Sequence, residues 1–230
     1  MEKKIYDLTA PQKSILLTEV YFKGSSINNI CGTAIIDEKI DFDLLERAVN
    51  LVVKNNSSFR IKLILENNEV KQYVSEYEPF KVPTIDVETI DDISKIENNL
   101  ISQVFDIYSN LCAFRLFRFP DGKGGFLLNI HHIISDSWTL GLYAKEVVRT
   151  YSSLVKKEEP DFSTLYSYTD YIKSEQEYKL SDKFDKDKNY WNSIFKTIPQ
   201  QASISGSNSN LTDNFSCSAG RCSFSIDKIL

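Results

Sequence analysis

The most informative stretch of the sequence is His131-His132-Ile133-Ile134-Ser135-Asp136-Ser137. It holds both histidines of the 230-residue chain, at the end of an apolar run, Gly125–Ile133, that is typical of a strand. Apolar residues at helical spacing follow over Trp138–Val155. Because successive side chains of a strand point to opposite faces, we expect one imidazole to enter the core and the other to face the opposite, open side.

The elements around this stretch alternate between paired strands and helices. Leu111–Phe119 is predicted to pair with the histidine strand, and Phe59–Leu65 with Val70–Val74 through a turn at Asn67-Asn68. A further strand is predicted at Cys31–Ile36, and helices are predicted after Thr9, after Asp41 or Asp43, from Asp91/Asp92, over Trp138–Val155 and, as a pair, within Ser163–Phe195. This order predicts an α/β fold, a two-layer sandwich in which a mixed β-sheet is covered by helices on one main face.

The first helix carries the clearest start signal. In Thr9-Ala10-Pro11-Gln12, threonine can cap the helix, proline is tolerated in the first turn, and glutamine three residues on can close a capping box. We expect Ile15, Leu16, Val20 and Phe22 to form its apolar face.

Composition excludes several classes of protein. The 27 Lys and Arg against 32 Asp and Glu give a net charge of −5, which argues against a nucleic-acid binder. No apolar run is long enough for a transmembrane helix, and no secretory signal is present, so we expect no membrane partner and a cytoplasmic location. The 4 scattered cysteines fit reduced thiols better than a disulfide framework or a zinc site.

The end of the chain differs in composition from the rest. Gln200–Ser216 is rich in Ser and Asn and is predicted to be a loop or linker, and Arg221–Ile226 a short strand. Asp227 would cap a new helix just before the last residue. We therefore expect one domain over 1–200, and a linker with the start of a further domain over 201–230.

Four interpretations of the histidine pair are open from the residues alone. Both histidines could be structural, since a buried histidine is often just a hydrogen-bonded core residue. A metal site is disfavoured because only Asp136 could join them as a ligand. A triad of Ser135, His132 and Asp136 lacks the Gly-x-Ser-x-Gly turn. The fourth interpretation is general-base chemistry by one neutral imidazole.

The histidine stretch resembles a known family signature. His131–Ser137 is similar to the His-His-x-x-x-Asp-Gly motif of nonribosomal peptide synthetase condensation domains, which have the chloramphenicol acetyltransferase fold. Leu8–Ile15 resembles the family's opening Ser-x-Ala-Gln motif, and Asn55–Ile61 its Arg-His-Glu-x-Leu-Arg-Thr motif, mainly at Phe59 and Arg60. Tyr168-Thr169-Asp170-Tyr171 resembles its Tyr-x-Asp-Tyr motif. The four motifs occur in the family's order.

The resemblance implies roles for individual residues. His132 would be the catalytic histidine, which assists the attacking amine or stabilises the tetrahedral intermediate. His131 would be inward-facing and structural, and Asp136 would be structural through an ion pair with Arg60. Ser137 stands where the family has glycine, and its side chain would affect substrate access. No cofactor is expected to be bound directly, because the substrates arrive on the phosphopantetheine arms of carrier proteins.

The resemblance also implies a function and partners. Region 1–200 would be the N-terminal lobe of a condensation domain, which joins a carrier-bound acyl or peptidyl donor to a carrier-bound amino acid through an amide bond. Its partners would be carrier protein domains and the C-terminal lobe, and the isolated chain, as an incomplete fragment, is expected to be inactive. One alternative is a freestanding CoA-dependent acyltransferase. The other is a non-catalytic lobe that docks carrier proteins, an alternative that Ser137 in place of glycine leaves open.

Overall fold

The computed structural model describes residues 3–199. The helices and strands of these residues follow one another in this order: β1 (Ile5–Asp7), α1 (Ala10–Tyr21), β2 (Asn29–Ile36), α2 (Phe42–Asn55), β3 (Ile61–Glu66), β4 (Glu69–Val74), β5 (Thr84–Asp86), α3 (Ile90–Ile101), β6 (Cys112–Arg118), β7 (Gly124–His131), α4 (Ser137–Val155), α5 (Tyr168–Lys179) and α6 (Asp182–Ile194). The strand predicted at Arg221–Ile226, the helix start at Asp227 and the linker over 201–230 lie outside the described residues.

The strands form two sheets rather than one. The smaller sheet has the order β1-β4-β3, and the larger has the order β2-β7-β6-β5. Pairing in the larger sheet is antiparallel except between β5 and β6, which run parallel. The sheet that carries the histidines is therefore mixed, and the predicted α/β class is confirmed.

Strand β7 lies in the middle of the larger sheet and is buried along its whole length. Phe126, Leu128 and Ile130 point into the main core, which also receives the apolar faces of α2 and α4. Leu127, on the other face, packs in a second core with Ile93 of α3. Helices thus cover both faces of this sheet. The sequence predicted helices on one main face, and α3 covers the other. The strand that presents the histidines is held from both sides.

Two glycines let the neighbouring strands approach the start of β7. A Cβ atom on Gly125 would lie 1.9 Å from the carbonyl oxygen of Ala34, and one on Gly124 would lie 2.0 Å from that of Phe117. Neither position has room for a side chain. These close approaches fix β7 between β2 and β6.

The start of α1 is as predicted, but its buried face is not. Gln12 N donates to Thr9 Oγ1 (3.4 Å) and Thr9 N donates to Gln12 Oε1 (3.0 Å), so the capping box is confirmed. The expected apolar face is wrong at Val20, which is 69% exposed, whereas Gln12 and Glu19 are buried. The helix buries these polar side chains because each finds a hydrogen-bond partner.

The predicted turn at Asn67-Asn68 and the predicted cap of the second helix are confirmed. Asn67 and Asn68 turn the β3–β4 hairpin with φ of 51° and 64°, a region that asparagine tolerates. Asp41 caps α2 by accepting hydrogen bonds from the backbone N–H groups of Asp43 and Leu44. Cys31 and Cys112 are free thiols, and burial raises the pKa of each to about 12. Both thiols are therefore protonated at neutral pH.

The described residues fall into two compact units, of which the first ends at Ser181 and contains both sheets. The second begins at Asp182 and contains α6, whose Trp191 stacks on the ring of Phe195, just beyond the helix, with ring centroids 5.8 Å apart. Among residues 3–199, the helices are all too short or too polar to cross a membrane.

Candidate active site

The two histidines lie at the junction of a strand and a helix. Strand β7 ends at His131, and His132–Ile134 form a single 3-10 turn before α4 begins. The backbone N–H of His131 donates to the carbonyl oxygen of Leu111 (2.8 Å), and that of His132 donates to Asn28 (2.7 Å). Backbone hydrogen bonds thus hold both residues in place, and their two side chains point in different directions.

The ring of His131 is buried and fully hydrogen-bonded. Its side chain is 2% exposed. The backbone N–H of Ile133 donates to Nδ1 (3.1 Å), so the proton of the neutral ring is on Nε2, which donates to Glu19 Oε2 (3.2 Å). Burial lowers the pKa of His131, an effect that the bond to Glu19 partly opposes. The predicted inward orientation is confirmed.

Glu19 is the buried partner that the sequence analysis missed. Its carboxylate lies on α1 and accepts hydrogen bonds from His131 and from the side-chain amide of Asn28 (2.7 Å). One carboxylate thus links α1 to the segment before β2 and to the end of β7. An acidic residue within a mostly apolar helical segment was the one signal that could have pointed to it.

His132 is exposed and has the opposite proton arrangement. Its Nδ1 lies 2.7 Å from the carbonyl oxygen of Ser135. Because a carbonyl can only accept, Nδ1 must carry the proton, and Nε2 of the neutral ring keeps its lone pair. A ring in this state can take a proton from an attacking amine.

The triad that the sequence left open is not assembled. The hydroxyl of Ser135 donates to the carbonyl oxygen of His131 (3.2 Å) rather than to an imidazole. The carboxylate of Asp136 accepts from the backbone N–H (2.8 Å) and the hydroxyl (2.7 Å) of Thr139. These two groups are engaged elsewhere, so they do not form a triad with His132.

Asp136 is structural, but in a different way from the expected one. Its side chain caps the N-terminus of α4, and the backbone hydrogen bond from Thr139 is the main cause that lowers the pKa of this carboxyl. The carboxylate also complements the positive end of the helix dipole. Asp136 therefore fixes the direction in which α4 leaves the histidine turn.

The expected ion pair between Arg60 and Asp136 is absent from residues 3–199. Arg60 Nη1 donates to the carbonyl oxygen of Ser75 (2.6 Å), and its buried Nε has no partner. Ser75 in turn donates to the carbonyl oxygen of Arg60 through its N–H (2.8 Å) and hydroxyl (3.1 Å). This closed exchange with the end of β4 directs the guanidinium away from Asp136, which is why the pairing prediction is wrong.

A cavity of about 1140 Å³ brings the motifs together around His132. Residues from each of the motifs line it: Thr9 and Gln12 from the first, Asn56 and Ser58 from the second, His132 and Asp136 from the third, and Tyr168 and Tyr171 from the fourth. Apolar and aromatic side chains, including Ile15, Ile134, Leu142 and Tyr143, complete the walls. Such a mixture of an apolar lining with a few polar groups is typical of small-molecule sites.

Direct hydrogen bonds join the second and fourth motifs. The backbone N–H of Tyr168 donates to the hydroxyl of Ser57 (3.0 Å), whose oxygen lies 3.3 Å from that of Ser167, the cap of α5. Burial raises the pKa of Tyr168, and a hydrogen bond with Thr9 of the first motif partly offsets this effect. The cavity wall is thus built by contacts between motifs that are far apart in sequence.

Ser137 is the exposed first residue of α4 and lies outside the set of residues that line the His132 cavity. Its φ is not positive, so this position does not need the conformational freedom of glycine.

Within residues 3–199 there is no group of three or more His, Cys, Asp or Glu that could hold a metal ion.

Comparison with known proteins agrees with this fold. The two sheets, their helices and the histidine turn define an α/β protein of the chloramphenicol acetyltransferase-like class. The chain belongs to the condensation domain family, whose model matches residues 2–230. It is 32% identical over 212 residues to surfactin synthase subunit 1 of Bacillus subtilis (strain 168) and 28% identical over 211 residues to tyrocidine synthase 3 of Brevibacillus parabrevis.

Solved structures agree on the fold. The starter condensation domain of the rhizomide synthetase matches with a TM-score of 0.76 at 20% identity, over 86% of this chain and 51% of that chain. The first condensation domain of the calcium-dependent antibiotic synthetase, solved with a substrate analogue, matches with a TM-score of 0.78 at 17% identity, over 87% and 50%. The chain thus spans about half the length of these solved chains. The sequence alignments cover 89% and 87% of this chain but 6% of the surfactin synthase subunit and 3% of tyrocidine synthase 3.

Proposed function

We propose that this chain supplies the histidine-bearing half of a condensation domain that forms an amide bond between a carrier-bound donor thioester and a carrier-bound acceptor amine. The observation that carries the proposal is the state of His132, whose Nδ1–H is held by Ser135 and whose Nε2 is left as an acceptor. This ring lines a cavity built from the four motifs. His132 is thereby assigned the catalytic role, and His131 and Asp136 positioning roles.

The chemistry asked of this ring is modest. The acceptor amine attacks the thioester carbonyl carbon, the new C–N bond forms, and the C–S bond of the donor breaks. The amine proton passes to His132 Nε2 and from there to the departing thiolate, so that the ring returns to its neutral state. General acid–base help of this kind contributes about 10²–10⁴ in rate, and placement of the two reactants can contribute more.

The proposed partners follow from the proposed reaction. Carrier protein domains would present both substrates on phosphopantetheine arms, and a second lobe would complete the walls of the cavity. Large exposed aromatic side chains near the histidine turn support such a cover, since Trp138 is 75% exposed and Tyr166 is 94% exposed. The cytoplasmic location and the effect of Ser137 on substrate access stay predictions.

Because the chain has 2 histidines, its imidazole resonances test the proposal directly. We would titrate the full chain with an aminoacyl N-acetylcysteamine thioester, a small acceptor mimic, and record histidine ring signals by NMR. The signals of His132 should shift on addition of the mimic, while those of buried His131 stay in place. His132→Ala identifies the resonances, and unchanged signals of both rings up to millimolar mimic would contradict the proposal.

Catalysis can be tested in the context of a whole domain. The corresponding half of the surfactin synthase subunit 1 condensation domain would be replaced by this chain, and amide formation measured with carrier-bound substrates by mass spectrometry. His132→Ala should lower the rate by about 10²–10⁴. Lys123→Gln, which removes an exposed cation that belongs to none of the four motifs, should leave it unchanged. Equal rates in an active chimera with and without His132 would favour a docking lobe.

A further inference from the structure

A second cavity in the same unit is lined by basic residues. Its volume is about 880 Å³, and it shares no lining residue with the His132 cavity. The cations that line it are Lys3, Lys4, Arg60, Lys62, Lys81 and Arg115, and the acidic residues that line it are Glu76 and Glu78. This excess of positive charge occurs in a chain whose net charge is −5. The cavity therefore concentrates a positive potential that the whole chain does not have.

Three of the cations that line this cavity, Arg60, Lys62 and Arg115, have no carboxylate partner among residues 3–199. Arg60 donates to the carbonyl oxygen of Ser75, Arg115 donates to that of Phe114 (2.7 Å), and Lys62 donates to Ser109 and Asn110. These partners are neutral oxygens. The one lining cation with an acidic partner in the described chain is Lys81, which is exposed and lies 3.4 Å from Glu46.

Arg60 is a partly buried cation whose hydrogen bonds are incomplete. Burial lowers the pKa of its guanidinium, and its buried Nε has no hydrogen-bond partner. A partly buried charge without a counter-ion is unfavourable, and an anion placed in the adjacent cavity would offset that cost. The planar fork of an arginine is well matched to the oxygens of a phosphate group.

We propose that this cavity binds a small ligand that carries adjacent phosphate groups, held by Arg60, Lys62 and Arg115. Several neighbouring cations favour a ligand with more than one negative charge over a single carboxylate. The cavity also has an aromatic wall that includes Tyr77 and Phe80, and its volume falls within the range of small-molecule sites, about 300–1,000 Å³. Inorganic pyrophosphate and a nucleoside diphosphate share this chemistry.

The experiment measures binding of inorganic pyrophosphate and of ADP to the full chain by calorimetry, at constant ionic strength. Arg115→Gln should weaken pyrophosphate binding by about tenfold, as loss of one charge-assisted contact does. The matched control is Arg118→Gln on the same strand, because Arg118 is ion-paired with Asp86 (2.7 Å) and does not line the cavity. This control should change the affinity by less than about twofold, as expected for a screened, exposed pair.

Lys62→Gln provides a second variant if Arg115→Gln fails to fold, and it should weaken binding in the same direction. Tighter binding of ADP than of pyrophosphate would assign the aromatic wall to a base, and equal affinity would assign the site to the phosphate groups alone. Absence of wild-type binding at millimolar pyrophosphate and ADP would overturn the proposal. Equal losses in Arg115→Gln and Arg118→Gln would overturn it as well, since they would show general attraction to surface charge.

Discussion

His131 and His132 are consecutive residues whose rings carry their protons on different nitrogens. His131 accepts at Nδ1 from Ile133 and donates from Nε2 to Glu19, whereas His132 donates from Nδ1 to Ser135. The main chain produces this contrast, because a strand end turns directly into a single 3-10 turn. One ring is thus buried with both nitrogens hydrogen-bonded, and the adjacent ring keeps Nε2 as an acceptor.

The first prediction concerns these tautomers. In the chain labelled with ¹⁵N, His131 should show the Nε2–H form and His132 the Nδ1–H form at pH 7.5 in long-range ¹H–¹⁵N spectra. On acidification, His131 should remain neutral below pH 6.5, its ordinary pKa, because burial lowers the pKa of this ring. The same tautomer for both rings would contradict the hydrogen-bond assignment.

The second prediction concerns Glu19, the carboxylate that holds His131. Glu19→Ala should leave the Nε2–H of His131 and the amide of Asn28 buried without an acceptor, at about 1–3 kcal/mol for each. Denaturant unfolding followed by tryptophan fluorescence measures the loss. Glu19→Gln keeps an acceptor oxygen and should recover most of the stability, so equal losses in the two variants would show that packing, not hydrogen bonding, is the role of this side chain.

The third prediction concerns Asp136, which caps α4 instead of forming the expected buried ion pair with Arg60. Asp136→Ala should lower the free energy of unfolding by about 1 kcal/mol, the usual cost of losing an N-cap, rather than the roughly 3–5 kcal/mol of a broken buried pair. Asp136→Asn should retain most of the capping. In a double-mutant cycle, the losses of unfolding free energy caused by Asp136→Ala and Arg60→Met should add within about 0.5 kcal/mol. A larger coupling energy would show that the two residues do form an ion pair.

Local signals in the sequence were enough for most elements of this fold. The capping box at Thr9, the Asn67-Asn68 turn and the cap at Asp41 depend on residues close in sequence, and all were predicted from spacing. The division into two sheets was not predictable in the same way. Strands β1 and β5 have 3 residues each, too few to show an alternating pattern, and their partners lie far away in sequence.

Long-range polar contacts limited the prediction of the site. The catalytic role of His132 stays a prediction from the resemblance, and residues of all four motifs line the cavity around this ring. Arg60 and Glu19 could not be placed, since a long charged side chain can reach several partners and spacing does not say which. Only the folded chain brings the carbonyl oxygen of Ser75 close to Arg60, and the ring of His131 close to Glu19.

The fourth prediction compares two glycines. Gly125→Ala should prevent stable folding or cost more than about 4 kcal/mol, because the new Cβ would meet the carbonyl oxygen of Ala34 at 1.9 Å. Gly141→Ala, on the exposed face of α4 with nothing within 4 Å of the new Cβ, should instead raise stability by about 1 kcal/mol. Thermal unfolding by circular dichroism distinguishes them. Two variants with equal melting temperatures would contradict the tight approach of β2 to β7.

The last prediction is that the 230-residue chain alone forms amide from carrier-bound substrates no faster than its His132→Ala variant. The solved condensation domain that it matches is longer, since the alignment covers 87% of this chain but 50% of that chain. The described residues provide the histidine but leave its ring exposed to water. Proton transfer contributes about 10²–10⁴ in rate, whereas the larger contribution from holding two reactants together needs walls on both sides. Mass spectrometry of the carrier-bound product measures the rate, and product above the variant's level would favour self-association that completes the cavity, as in a freestanding acyltransferase.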